Sequence, residues 1–443
     1  MQRKWRTAAM AALAAVTLLA AWRTAAADDL KDNAQDRAAT RAAVAMVEAG
    51  RHTFRFDTFG DEAFWGATLK LHQALARVTP RNALGLGLKV DVDALPPDVV
   101  NRIARGAVSL DDPSVTATLL KSNAVIGVTG FFDRSGALTS VGIQCALCHA
   151  TVDQSVQAPG IPPGLIGHRL DGWANRDLNV GAIIALAPDL SAFVKVLAED
   201  EVTVRRVLNN WGPGKFDAQL ILDGKAFRPD GKSAATLIPP AFGLAGVNLH
   251  TWTGWGSVTY WNAFVANLAM HGVGRFFDPR LNDASRFPVA VRNGFANVNP
   301  DLDPQQDRIT PKLANLHAYQ LALPAPSSPN RSPANFAARR GDNLFSGKAR
   351  CNRCHTEPLL TEPGWNLHTP AEVCVDDFQA NRSPDRRYRT SPLAGLWTHQ
   401  KGGFYHDGRF GTLKEVVNHY NACMSLGLSE PEKDDLIAYL LTL

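Results

Sequence analysis

Apolar positions recur at helical spacing along much of the chain, and the clearest stripes lie near its end. Leu413, Val416, Val417 and Tyr420 stand at i, i+3, i+4 and i+7 behind Thr412 and Glu415, a capping-box pair, so a helix is predicted from about Leu413 with the tyrosine on its buried face. His419 is turned about 100° away from that face. A second capping pair, Ser429 and Glu432, precedes Leu436, Ile437, Leu440 and Leu443 at the same spacing. Further helical patterns run through residues 34–49, which are rich in alanine, and residues 313–323. In the tryptophan-rich stretch of residues 250–272, Trp261, Phe264, Val265 and Leu268 share one face and His271 borders it.

The apolar run near the start reads differently. Arg3, Lys4 and Arg6 precede AAMAALAAVTLLA and the small residues Ala25, Ala26 and Ala27, the pattern of a secretory signal peptide over residues 1–27. Cleavage near Ala27 is expected to deliver a periplasmic or secreted protein. The run is too short to span a bilayer, and no later stretch of 18 apolar residues occurs, so no membrane span is expected. PAPSSPNRSP, within residues 324–340, can build neither a helix nor a core and is expected to be a linker.

Charge narrows the field. Lys and Arg number 46 against 42 Asp and Glu, and the leader's Arg3, Lys4, Arg6 and Arg23 account for the difference. A processed chain without net charge gives no support to nucleic-acid binding.

Four of the six cysteines fall in two copies of one motif: Cys145, Cys148 and His149, then Cys351, Cys354 and His355. C-x-x-C-H is the attachment signature of c-type haem. Two thiols three residues apart can bond both vinyl groups of one porphyrin edge, and the adjacent histidine then reaches the iron as proximal ligand. Zinc sites place their cysteine pairs much closer together in sequence, and a thiol redox pair explains neither the duplication nor the histidines. Two covalently bound haem c groups are therefore expected. Cys374 and Cys423 remain, and in an exported protein they are expected to pair.

The expected fold is mainly α: two cytochrome c-like haem domains (126–323 and 341–443), an N-terminal helical extension (28–125) and long loop-rich insertions, including the tryptophan-rich one, in the first haem domain. The extension holds Gly50 and Phe54 at the spacing of Gly341 and Phe345, with Thr58, Asp61 and Glu62 where a haem motif would stand. A helical extension packed on the first haem domain is the safer reading, and a decayed haem domain is the alternative.

With the two motifs, the run RRYRTSPLAGLWTHQKGGFYHDGRFGTLKEVVNHYN resembles the di-haem cytochrome c peroxidase/MauG superfamily. The long spacing between motifs and the late first motif are most similar to its RoxA-like (rubber oxygenase-like) branch. The candidates opposite His355 are Tyr420, Met424, His406, His419, His399 and His368; helical phase favours Tyr420 over His419 and keeps Met424 as runner-up. The resemblance implies Tyr420, fourteen residues after the turn histidine His406. It also implies that the first haem, on His149, reacts with H2O2 or O2 while the second relays electrons to or from a redox partner or organic substrate. Peroxide chemistry needs a proton-moving group in a water-poor pocket. Candidates on that side are His271, His168 and Trp255, with His250, His317, Trp252 and Trp261 behind them. Asn297, Asn299, Asp301 and Asp303 alternate like calcium ligands, although a loop of Asx turns explains them better. Two rival readings are an O2-dependent dioxygenase acting on a hydrophobic substrate and a di-haem electron carrier.

Overall fold

The computed structural model describes residues 33–399 and 401–443; the expected signal peptide lies outside them. Helices dominate, joined by long loops and six two-stranded sheets. The helices and strands that position the motifs are α1 (Ala34–Phe56), α2 (Pro80–Gly85), α3 (Pro97–Ala104), α4 (Pro113–Lys121), β1 (Val128–Phe132), β2 (Leu138–Ile143), β3 (Ala150–Val152), β4 (Arg169–Asp171), α5 (Val258–Phe264), α6 (Leu313–Ala322), α7 (Phe336–Ser346), α8 (Leu413–Cys423) and α9 (Glu430–Leu440). Among the described residues no helix is long and apolar enough to cross a membrane.

Two helix pairs repeat one device. α1 lies against α6 and α7 against α9, and each crossing is closed by a glycine. A Cβ on Gly50 would stand 1.9 Å from the Asn315 carbonyl oxygen, and one on Gly341 would stand 2.0 Å from that of Asp435. One turn further on, Phe54 meets Tyr319 at 5.6 Å and 58°, while Phe345 meets Tyr439 at 5.2 Å and 57°. The extension expected over residues 28–125 thus packs on residues 126–323 through α1. α1 shares a core with α6, and Phe54, Phe59, Ile126, Leu316 and Tyr319 form one cluster against which Cys145 packs.

The first motif is held between hairpins. β1 and β2 pair antiparallel, Val128 opposite Ile143, and lead straight into Cys145. Past the motif, β3 pairs with β4, whose Asp171 accepts from Arg55 of α1 and from the Tyr319 hydroxyl of α6. Gly127 (φ +82°) lets the chain press on the motif, since a Cβ there would lie 2.1 Å from the Leu147 Cα.

The second region follows the sequence pattern closely. Both capping boxes form, at Thr412/Glu415 and Ser429/Glu432, and Leu413 and Val417 of α8 are buried beside Leu436 and Leu440 of α9. Cys374 and Cys423 form a disulfide that closes 49 residues. Replacing both with alanine is expected to lower stability by about 2–4 kcal/mol. Thermal melting with and without reductant checks this, with the double variant insensitive to reductant.

The two regions are bound by buried charge. Arg382 of the second, 1 % exposed, donates to Asp223 at 2.8 Å and to the Ala234 carbonyl at 3.2 Å, and pairs with Asp217 at 2.9 Å. Burial drives the Asp217 carboxyl above its ordinary range; it opposes the Arg382 charge too, but the two carboxylates outweigh it.

Candidate haem sites

At the second motif, a short turn over Cys351–Arg353 brings the His355 amide to the Cys351 carbonyl at 3.0 Å. The imidazole is buried, which keeps it neutral, and its Nδ1 lies 3.1 Å from the Leu360 carbonyl oxygen. A carbonyl can only accept, so Nδ1 carries the proton and Nε2 keeps its lone pair for a metal. Cys351, Cys354 and His355 line a cavity of about 230 Å³ whose walls include Phe345, Leu393, Leu413, Val417 and Leu436.

Tyr420, Met424, His399 and His406 line the same cavity. Tyr420 is half-buried and close to both Cys351 and Cys354, whereas Met424, the residue that caps the end of α8, is 40 % exposed. Burial raises the Tyr420 pKa and the neighbouring Tyr405 phenol works the other way. His419 is turned away, its Nε2 3.1 Å from the Val373 carbonyl. His368 also borders the cavity but is engaged with Glu362 at 2.6 Å. Burial takes His399 down to about 3 and His406 to about 4, so both are neutral. His406, with Asp376 and Asp407, could geometrically hold a cation, but Arg228 and Arg409 already neutralise the two carboxylates.

Two arginines on the cavity wall have buried guanidinium nitrogens without a partner: all three of Arg176, and Nε and Nη2 of Arg389. Burial lowers both to about 10, still charged at neutral pH. An unpaired buried cation is costly and calls for an anion. Haem carries two carboxylates, so thiols, neutral imidazole, apolar walls and orphan guanidiniums together fit the group. The sequence reading missed both arginines, whose burial only the assembled fold reveals.

The first motif repeats the histidine geometry. His149 is buried and lowered to about 4, with its Nδ1 3.2 Å from the Pro239 carbonyl oxygen. Cys145 faces the cluster around α1 and α6, while Cys148 faces the larger core that includes Trp65, Leu147 and Trp211. Burial pushes both thiols up to about 12. After the motif, the Gly172 amide donates to the His149 carbonyl at 2.8 Å and the Asn175 amide to that of Cys148 at 2.9 Å. Between them Trp173 meets Trp397 of the second region edge-on at 5.5 Å, a contact the sequence did not signal.

The side-chain candidates for the reactive side fare unevenly. His168 does not join the site: it lies just ahead of β4 and is exposed, with Nδ1 2.7 Å from Asp93. Trp255 is also misplaced, buried with Trp261, Phe264 and Phe287 in a separate cluster that cores the insertion. His271 is buried, stacked on Phe64 at 3.6 Å and lining a small cavity with Trp65 and Trp211, beside the core that Cys148 meets. His250 bonds the Val247 carbonyl at 3.0 Å and lies near Arg389 and His317 rather than at the first motif. Trp252 lines the second cavity.

The residues that alternate like calcium ligands, better explained in the sequence by Asx turns, do not converge on one point. Asn299 donates to the Gly274 carbonyl, Asp303 caps the Gln305 amide, and neither Asp301 nor Asp303 belongs to a ligand cluster among the described residues. Asp61, noted in the sequence only for its spacing, is fully buried, accepts from the Ile143 amide at 3.1 Å and is pushed by burial to about 9.

Two half-buried C-x-x-C-H motifs, each with its histidine proton spent on a backbone carbonyl, are the arrangement that c-type haem attachment needs. No family model matches the chain. Among curated proteins it is 27% identical over 184 residues to methylamine utilization protein MauG of Methylorubrum extorquens, covering 37% of this chain and 51% of that one. It is 25% identical over 242 residues to cytochrome-c peroxidase IdrP1 of Denitromonas iodatirespirans, covering 42% and 62%. The chain thus spans between half and two thirds of the length of these relatives. Two solved structures also align: a MauG-like protein associated with microbial copper homeostasis (TM-score 0.33, 18% identity, 49% of this chain and 77% of that one) and Kuenenia stuttgartiensis hydrazine synthase (TM-score 0.29, 18% identity, 49% and 75%). The two curated relatives support the di-haem cytochrome c peroxidase/MauG superfamily as the group this chain resembles.

Proposed function

We propose that this protein is an exported di-haem oxidoreductase of the peroxidase/MauG kind, with the His149 site reacting with H2O2 and the His355 site relaying electrons. The observation that carries this reading is the inequality of the two sites, above all the half-buried Tyr420 lining the cavity of the second. Haem bound at the motifs supplies the redox chemistry; the chain sets what each iron meets. Cys351 and Cys354 anchor the second group, His355 presents Nε2, and Arg176 and Arg389 receive its carboxylates. Tyr420 offers a phenol oxygen, and because burial resists its ionisation, only a cation facing it makes the phenolate stable. An anionic ligand favours the oxidised metal, so Tyr420 suits a site that holds oxidising equivalents. Trp173 and Trp397 supply an aromatic contact between the two regions.

The test begins with a pyridine haemochrome assay, which should give two haems per chain. Tyr420→Phe should keep both haems, abolish the low-spin ferric signal of the second site in EPR and raise its reduction potential. An unchanged signal removes Tyr420 as a ligand. If H2O2 leaves both sites spectrally inert, the protein is an electron carrier; a stable O2 complex in the resting protein favours a dioxygenase.

A further inference from the structure

The N-terminal region encloses a cavity of about 690 Å³, larger than that at the second motif. Its walls come from α2, α3, α4, the loop between α3 and α4, and residues 158–166; Leu84, Val99, Ile103, Leu119 and Ile166 make them apolar. No cysteine or histidine lines it, so it is built for binding rather than for chemistry or a covalent haem. The volume and lining match those of small-molecule sites, roughly 300–1,000 Å³ of mostly apolar wall with a few polar groups.

The polar groups are of three kinds. Thr116, only 5 % exposed, lines the cavity with a buried hydroxyl that no group in the protein satisfies. Lys89 and Arg81 are already engaged, Lys89 with Gly164 and Asp177, and Arg81 bidentate with Asp111 at 2.8 and 2.9 Å. Arg102 is exposed at the rim and makes no salt bridge among the described residues.

We infer that this cavity binds an aliphatic carboxylate, its chain among the apolar walls and its head group at Arg102. An apolar chain accounts for the walls, and an anionic head group accounts for the one lining cation left without a carboxylate. A neutral chain would leave Arg102 unused, and an amine would be repelled by it.

Calorimetric titration of the haem-loaded protein with dodecanoate, 1-dodecanol and dodecylamine tests this. Dodecanoate should bind with one site per chain, and dodecylamine should bind at least about fivefold more weakly. Val99→Trp, which pushes an indole into the cavity from α3, should weaken dodecanoate at least tenfold or so while leaving the haem spectra and melting temperature unchanged. Should that variant misfold, Arg102→Glu serves instead: it should weaken dodecanoate about fivefold and leave dodecanol within about twofold. No saturable binding of dodecanoate, equal binding of the amine, or indifference of a folded Val99→Trp protein would overturn the inference.

Discussion

Arg382→Met is expected to cost about 3–5 kcal/mol, the usual penalty for leaving buried charge without its partner. Arg382 joins the second region to Asp217 and Asp223 of the first, and all three side chains are buried. With the guanidinium gone, two neighbouring carboxylates lie in a dry interface, and at least one must take up a proton for the fold to survive. The variant should therefore lose stability more steeply as pH rises, because a group whose folded pKa is elevated withdraws stability above its ordinary range. Adding Asp217→Leu and Asp223→Leu to Arg382→Met should recover most of the loss, since an apolar cluster of similar volume replaces a buried ion cluster well. Chemical denaturation at pH 5 and pH 8 checks both statements; a loss under about 1 kcal/mol would falsify the idea that this cluster holds the regions together.

Alanine at either crossing glycine is the second large effect. Ala is the better helix former by about 1 kcal/mol, so an exposed site would gain from the change. At Gly50 and Gly341 the added methyl would sit 1.9 and 2.0 Å from a backbone carbonyl oxygen, and no rotamer can relieve a Cβ. The helices must part, and overpacking of this kind costs about 3 kcal/mol. The damage should be local: Gly341→Ala is expected to disturb the spectrum of the His355 site and Gly50→Ala that of the His149 site, with the other left intact. A neutral Gly50→Ala would show that α1 and α6 need not touch as described.

What could be read from the chain depended on how local the rule was. Capping boxes and the stripe from Leu413 to Tyr420 involve residues within two turns, and the helices formed where these placed them, with His419 turned aside. The Cys374–Cys423 bridge followed from elimination among few thiols. Partners distant in sequence were not legible. Gly50 and Phe54 matched Gly341 and Phe345 in spacing, yet only the crossing with α6 reveals why. His168 and Trp255 were chosen by residue type, which says nothing of the direction a strand or core gives a side chain. Arg176 and Arg389 look like ordinary surface arginines until the fold strips away their water.

The wall of the second cavity is not wholly its own: Arg176 and Trp252 reach it from the earlier part of the chain. A tail half released by a protease would carry its attachment cysteines but lack part of the shelter around them.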